Sequence, residues 1–426
     1  MYTSNTLIHK KPIFNELNKL IKIETDINKI NDMQHQKLKE ILYSAQQNVP
    51  VYKDLIKNYK TIVGIPKCTK EMIIDNYENF ISDKVKTDNV YVNVTDGANG
   101  KSLNIIRDNS ANLEDSVNIV NVLYKHGIHE NVDTVRGLRI LTIDSKVKSG
   151  FYEIPDIPTA LYCVAFVNLF TSLNEMDLCE NIIRYSPELL SGKPSEILYL
   201  ESLLNKNNKI IETIKYIITY GENLPKCTRN YLENKFNAKV INVYKLDEVG
   251  MVAFECPNNP ENFLINESNV LIEHRMDFSS KEVVITSLEN YTMPLINYKT
   301  GDMASIFYKK NSETSSVRRV IKDLILQGHY VKEATGSNFE SLMKLYLKLS
   351  EMDICWYQII YENNGEVTLR IIDGEINNKE DRILEILALI NTKDLKVNIT
   401  FTNIENIISP NHRTETFLIK EVANSI

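Results

Sequence analysis

The chain has 426 residues, with 49 Lys and Arg against 56 Asp and Glu, a formal net charge of −7, 43% hydrophobic and 25% charged residues. That length exceeds what one compact core holds, so two or more domains are expected, of ordinary globular composition. The negative balance supplies no basic field for nucleic acid or an anionic membrane, and no apolar run reaches the length of a bilayer span. The polar stretch Met1 to Lys11 lacks an apolar signal segment. Cys68, Cys163, Cys179, Cys227, Cys256 and Cys355 are scattered, with no C-x-x-C pair. This argues against a disulfide framework and a zinc ribbon, and for a reduced, cytoplasmic protein.

In chain order, Leu38, Ile41, Leu42 and Ala45 predict a helix over 32–47, stopped before Asn48-Val49-Pro50. Thr69 is a predicted N-cap, with Glu71 and Met72 opening a second helix. Two strand-like runs, Val90 to Val94 and Leu103 to Arg107, flank the Gly-rich segment Thr95 to Ser102, which has the makings of a phosphate cradle. A helix over 110–127 ends at Gly127, and residues 137–143 read as a buried strand. Beyond it, strand Thr159–Asn168, helices 174–185 and 194–204, strand Tyr216–Tyr220, helix 226–235 and strand Val240–Tyr244 alternate. Such alternation predicts an α/β domain with helices packed on a sheet.

From 269 to 308 the chain turns β-rich, with runs at 269–273, 281–287 and 303–308. Pro294 to Asn297 reads as a short apolar strand, followed by Tyr298 and a Thr300-Gly301-Asp302 turn. That places an acceptor-only carboxylate at a strand end, where open α/β sheets bind ligands, able to accept both hydroxyls of a ribose. Residues 310–317 are polar, and a domain boundary is expected near Gln327-Gly328-His329, dividing the chain into 1–327 and 328–426. The last hundred residues predict helix 338–350, strands 355–361 and 366–372 around Asn363 to Gly365, helix 378–391 and strand 396–402, an α+β module.

Taken together, these segments resemble the phenylacetate–CoA ligase branch of the adenylate-forming (acyl-CoA synthetase-like) superfamily. The likeness runs from Ser44-Ala-Gln-Gln-Asn-Val-Pro-Val-Tyr52 through Pro66-Lys-Cys-Thr-Lys70, the loop 95–102, Gly192-Lys-Pro-Ser195 and Tyr220-Gly-Glu222. It continues with Asn242-Val-Tyr244-Lys-Leu-Asp247-Glu248-Val-Gly250, Phe254-Glu-Cys256, Val283 to Leu288 and Pro294 to Asp302. Each motif is modest; the ordered set covers most of residues 44–308.

The resemblance implies a large N-terminal α/β domain and a small mobile C-terminal α+β domain hinged near Gly328. It implies ATP-dependent adenylation of a small carboxylic acid, aryl acids among the class, with transfer to CoA, a carrier-protein thiol or an amine. It leaves a homodimer open. Thr95, Gly97, Gly100 and Lys101 would hold the phosphates, and Gly221 and Glu222 would line the adenine pocket beside Asp247. Tyr244 would stack on adenine, Glu248 would bind Mg²⁺, and Asp302 would anchor the ribose. Lys420, the lysine nearest the C-terminal "G-K" position of the family, would serve with Glu248 and Lys101 in catalysis. Phe151, Tyr152, Tyr162 and residues 216–224 would shape the acyl pocket.

This chain departs from the pattern at Asp96, Ala98 and Asn99, where the family has hydroxyls, and at Lys245, Asp247, Asn297 and Lys299. Phe263 or Leu264 stands where a zinc-binding His would follow Cys256, so no zinc is expected. The hinge pair reads Gly328-His329, while His412 and Arg413 read as surface residues. These departures keep a second class open: a catalytically weak member that binds a nucleotide, an acyl group or a partner.

Overall fold

The computed structural model describes residues 5–85, 90–95, 102–128, 135–141, 151–154, 164–168, 175–273, 281–310, 317–352, 354–362, 366–372, 381, 395–407 and 417–420. The chain divides into two compact units. The first comprises Met1–Thr134, Asp156–Tyr162 and Val243–Leu326; the second comprises Val135–Pro155, Cys163–Asn242 and Gln327–Ile426.

The first unit begins with helices α1 (Asn5–Ile23) and α2 (Ile27–Asn48). The Asp26 carboxylate accepts from Asn28 N to start α2, and Ile30, Leu38, Ile41, Leu42 and Ala45 form its buried stripe. Helix α3 (Lys70–Asp75) is capped by Thr69, whose hydroxyl accepts from Met72 N. Such a cap is worth about 1 kcal/mol. Strands β1 (Val90–Thr95) and β2 (Leu103–Asp108) form an antiparallel hairpin with Thr95 opposite Leu103. Asp108 then caps α4 (Asn109–Lys125) by accepting from Ser110 N and Ala111 N.

The second unit carries β3 (Gly137–Leu141), β4 (Phe151–Ile154), β5 (Val164–Asn168), α5 (Glu175–Tyr185), β6 (Leu189–Gly192), α6 (Pro194–Lys206), β7 (Tyr216–Thr219) and α7 (Lys226–Phe236). Strand β8 (Lys239–Leu246) begins in this unit, where residues 239–242 run parallel to β7. Its sheet is ordered β4-β5-β3-β6-β7-β8, parallel throughout apart from β4. Leu138, Ile140, Leu190, Ile197, Ile217 and Val240 belong to the core beneath it.

From Val243 the chain belongs to the first unit and is antiparallel. Strands β9 (Gly250–Cys256), β10 (Asn259–Ile265), β11 (Val270–Ile272), β12 (Lys281–Ser287), β13 (Tyr298–Lys310) and β14 (Val317–Ile325) follow, in the order β11-β12-β13-β14-β10-β9-β8. After Gln327 the second unit resumes with α8 (Gly328–Thr335), α9 (Phe339–Glu351), β15 (Tyr357–Glu362), β16 (Glu366–Ile372), β17 (Lys396–Thr402), the short α10 (Ile404–Ile407) and β18 (Phe417–Lys420). These four strands form a sheet ordered β17-β16-β15-β18.

The predicted α/β class and most elements are present. Helices α1 and α8 and strands β10 and β14 add to the elements read in the sequence, and three further readings change. Pro294 to Asn297 is not a strand: Asn297 adopts a left-handed φ of 54°, which a strand cannot hold. The Thr300-Gly301-Asp302 segment lies inside β13 rather than after a strand end. Strand β9, unread in the sequence, is buried at every position and so shows no alternation. Apart from residue 381, which is helical, the predicted helix 378–391 lies outside the described residues, as do the turn 363–365 and nearly all of the polar stretch 310–317.

A buried charge cluster in the first unit has a measurable signature. Lys37 Nζ contacts Glu289 and lies 3.7 Å from Glu114 Oε1. Burial pushes the Glu289 carboxyl up to about 7, against the pull of Lys37. Its folded value lies above the unfolded one, so this carboxyl favours the native state while it can stay protonated. That contribution is lost as pH rises from the unfolded value, 4.5, through about 7. Denaturant midpoints followed over that window should fall for the native chain and flatten for Glu289→Gln.

Candidate active site

The site in the first unit is built around the approach to β13. Tyr52, the last residue of the Asn48-Val-Pro-Val-Tyr motif, is 2% exposed. Its hydroxyl donates to Pro294 O at 3.0 Å and accepts from Ile296 N at 3.3 Å. The Asn297 amide donates to Ile62 O (3.2 Å) and Ile65 O (2.8 Å). Cys68 N donates to Asn297 O at 3.1 Å, and Lys299 N donates to Cys68 O at 2.9 Å. Asn297, a departure from the family arginine, is therefore a buried tie between two backbone segments.

This stitching delivers Tyr298 to Asp302 in a fixed path. Gly301 has φ +79°, a value L side chains rarely adopt, and the β12–β13 register shifts between Glu282 and Val284. Thr300 Oγ1 donates to Val283 O at 3.0 Å and accepts from Asp302 N at 3.1 Å. Asp302 is 4% exposed and accepts a 2.6 Å hydrogen bond from the Tyr244 hydroxyl. Tyr244 is 2% exposed within the core of this unit. Burial, then the Asp302 charge, pushes its phenol well above the ordinary range.

Glu248 follows β8 by two residues. Its Oε1 accepts from the Tyr298 hydroxyl at 3.1 Å and lies 3.9 Å from Lys70 Nζ. Burial raises the Glu248 carboxyl, and Lys70 pulls it back down. Lys70 also donates to Thr95 Oγ1, and Thr95 accepts from Leu103 N at 3.1 Å, closing the base of the β1–β2 hairpin. Asp302 and Glu248 both act on the Tyr298 and Tyr244 phenols, so the two carboxylates share one electrostatic neighbourhood. Asp247 takes part through its backbone, where its carbonyl accepts from Asn93 Nδ2 at 3.5 Å.

In the sequence Lys70 stands out only as the end of the Pro66-Lys-Cys-Thr-Lys70 motif. Its sequence signal was its place directly after the Thr69 N-cap. A helix start fixes the direction of the side chain, but nothing local points it at a glutamate 178 positions on.

In the second unit Gly192 tolerates no larger residue easily: a Cβ there would lie 3.1 Å from Glu196 Oε2 and 3.2 Å from Ile140 Cβ. Ser195, in the first turn of α6, donates from N (3.1 Å) and Oγ (2.8 Å) to the Glu222 carboxylate. Glu222, expected along an adenine pocket, is thus an acceptor for a helix start, and Gly221 before it has φ +77°. Arg139 Nε donates to the Tyr220 hydroxyl at 3.1 Å.

Gly97, Gly100 and Lys101 lie outside the described residues, as do Tyr162, His412, Arg413 and the side chains of Phe151, Tyr152 and Lys420. The Lys420 backbone ends β18 opposite Glu362.

Among the described residues no three His, Cys, Asp or Glu side chains enclose a metal ion. The half-buried Glu248 carboxylate nevertheless fits Mg²⁺, a hard cation that takes one or two protein carboxylates and fills its shell with water and phosphate oxygens.

Gly250 closes the Glu248 turn. At φ +82°, a Cβ added there would lie 2.6 Å from Asp115 Oδ1 and 3.4 Å from Arg107 Nη1, the partners of an ion pair between a half-buried Asp115 and a buried Arg107. Gly250→Ala should lower stability by about 1–3 kcal/mol from backbone strain alone. Equilibrium denaturation would measure it; a midpoint unchanged from the native chain would contradict this packing.

No protein-family model matches the chain, and no curated relative does. Solved structures do. A 2-hydroxyisobutyryl-CoA ligase in the postadenylation state with 2-HIB-AMP aligns at TM-score 0.68 and 13% identity, over 93% of this chain and 90% of that one. An acyl acid amido synthetase in complex with 2,4-DB aligns at TM-score 0.62 and 11% identity, over 97% and 94%. The chain has the mixed α/β fold that these adenylate-forming ligases share.

Proposed function

We propose that the chain activates a small carboxylic acid by joining it to the α-phosphate of ATP, with release of pyrophosphate. It then passes the acyl group to a thiol, of CoA or a carrier protein, or to an amine. The observation that carries this reading is the meeting of Asp302, Glu248, Lys70 and Thr95 in one unit, on a fold whose neighbours hold an acyl adenylate. The 2-hydroxyisobutyryl-CoA ligase has also been captured with CoA, and the amido synthetase supports an amine as acceptor.

In this reading Asp302 accepts the ribose hydroxyls, and Tyr244 orients that carboxylate. Glu248 holds Mg²⁺, which when bound neutralises charge between phosphates. Lys70 and Thr95 meet the phosphates at the mouth of the loop containing Gly97, Gly100 and Lys101. Negative charge grows on the α-phosphate oxygens as the carboxylate attacks, and positive groups fixed beforehand lower that barrier. Lys420 supplies a further positive charge from the C-terminal domain, residues 328–426, which moves between adenylation and transfer. Glu222 and Gly221 shape the adenine side by ordering the start of α6. The protein acts in the cytoplasm.

The alternative, a binding protein with little chemistry, is favoured by one observation: Tyr244 and Glu222, both expected at the base, already have protein partners. Pyrophosphate exchange with Mg-ATP across a panel of aliphatic and aryl acids separates the two. Acid-dependent exchange is expected. Tight ATP binding with no exchange for any acid would establish the alternative.

A further inference from the structure

Cys227 and Cys355 are joined in a disulfide across 128 residues, with their Cα atoms 4.8 Å apart, within the span such a bond allows. The scattered spacing of the cysteines gave no sign of this pair. Cys227 occupies the first turn of α7, and Cys355 immediately precedes β15 in the segment after Gln327. The joint is built on both sides. Thr228 Oγ1 donates to Cys355 O, and the next residue, Trp356, is 5% exposed in the same apolar cluster as Leu232 and Phe236 of α7.

The remaining described cysteines contrast with this pair. Cys68, Cys179 and Cys256 are buried free thiols. Burial raises all three, Cys68 to about 12, so they react poorly. Cys227 and Cys355 are only half-buried. Cys227 also sits where the N-terminal end of a helix stabilises a thiolate.

We propose that Cys227 and Cys355 form a redox latch that fastens the C-terminal segment to α7 and so arrests turnover under disulfide stress. The functional part of this proposal rests on the adenylating reading, in which that segment must reposition between half-reactions. The oxidant is a small-molecule disulfide of the glutathione class. The Cys227 thiolate attacks one of its sulfurs, forming a mixed disulfide and expelling one thiolate, which takes up a proton. Cys355 loses its proton, attacks the Cys227 sulfur of the mixed disulfide and expels the second thiolate. Two protein thiols are thereby oxidised by two electrons, and the small disulfide is reduced to two thiols. A small dithiol reverses the sequence.

The test uses the full chain, prepared with dithiothreitol or with oxidised glutathione, alongside Cys355→Ser and Cys227→Ser. Peptide mass spectrometry reads the bond, hydrogen exchange reads residues 327–352, and multiple-turnover acyl transfer reads function. The oxidised chain should give the Cys227–Cys355 peptide, slower exchange in that segment and turnover at least tenfold lower than the reduced chain. Both serine variants should be indifferent to oxidant and match the reduced chain. If no cross-linked peptide forms, or if it forms with exchange and turnover unchanged, the latch is overturned. If no preparation turns over but oxidation still slows hydrogen exchange through this bond, the latch as a fastening stands and the adenylating reading is what fails.

Discussion

Asp302→Ala is expected to weaken ATP and AMP binding by about 1.5–3 kcal/mol for each charge-assisted hydrogen bond lost to the ribose. Two such bonds are available to an ionised carboxylate, so the expected drop in affinity is about 10²–10⁴. The variant also strands the Tyr244 hydroxyl, which is buried and donates to Asp302 at 2.6 Å. An unpaired buried donor costs about 1–3 kcal/mol of stability. Tyr244→Phe separates the two effects, because it keeps the carboxylate while removing its internal donor, and should bind nucleotide with much smaller loss. Calorimetry on folded protein decides the matter. Unchanged AMP affinity in Asp302→Ala would remove Asp302 from the nucleotide site.

The second large effect concerns Lys70 and Glu248. Removing the Lys70 charge should slow pyrophosphate exchange by about 10²–10³, the usual consequence of losing one preorganised electrostatic group. Glu248→Gln should do the same while raising the Mg²⁺ concentration needed for half-maximal rate. The pair also makes a pH prediction whose sign is fixed. Burial raises the Glu248 carboxyl, and Lys70 opposes that rise. The charged form is the one that holds a cation, so exchange should increase with pH through this raised value. Lys70→Ala removes the opposing charge, and the rising limb should move to higher pH. A residual rate in Lys70→Ala with an unmoved limb would show that Lys70 serves the hairpin through Thr95 and not the chemistry.

What the sequence made legible follows from the range of the interactions involved. Thr69 as a cap, the α2 stripe and the β1–β2 hairpin were readable because each is decided within a few residues. The alternating strands and helices of residues 137–246 were readable for the same reason. Asp302 and Glu248 stood out in the sequence through their motifs, and in the structure they share one electrostatic neighbourhood. The roles of their neighbours were not readable. Tyr244 was expected to stack on adenine, and nothing nearby in sequence reveals the acceptor 58 residues later that its hydroxyl engages. Asn297 looked like a lost arginine, although its amide ties down carbonyls more than 230 residues earlier. Strand β9 escaped because uniform burial erases the period on which strand recognition depends.

The same long ties set a schedule for making the protein. Tyr52 meets Pro294 across 242 residues. At roughly 5–20 residues per second, a ribosome needs on the order of tens of seconds to deliver that partner. Throughout that interval the first seventy residues have been synthesised but lack the partners that Tyr52, Ile62, Ile65 and Cys68 will eventually engage, backbone groups for Tyr52 and Cys68 and the Asn297 amide for Ile62 and Ile65. Residues Tyr298 to Asp302 therefore reach their final path only late in synthesis, when the oldest part of the chain closes on the new. Nascent chains arrested before about residue 300 should lack nucleotide affinity however well their helices form.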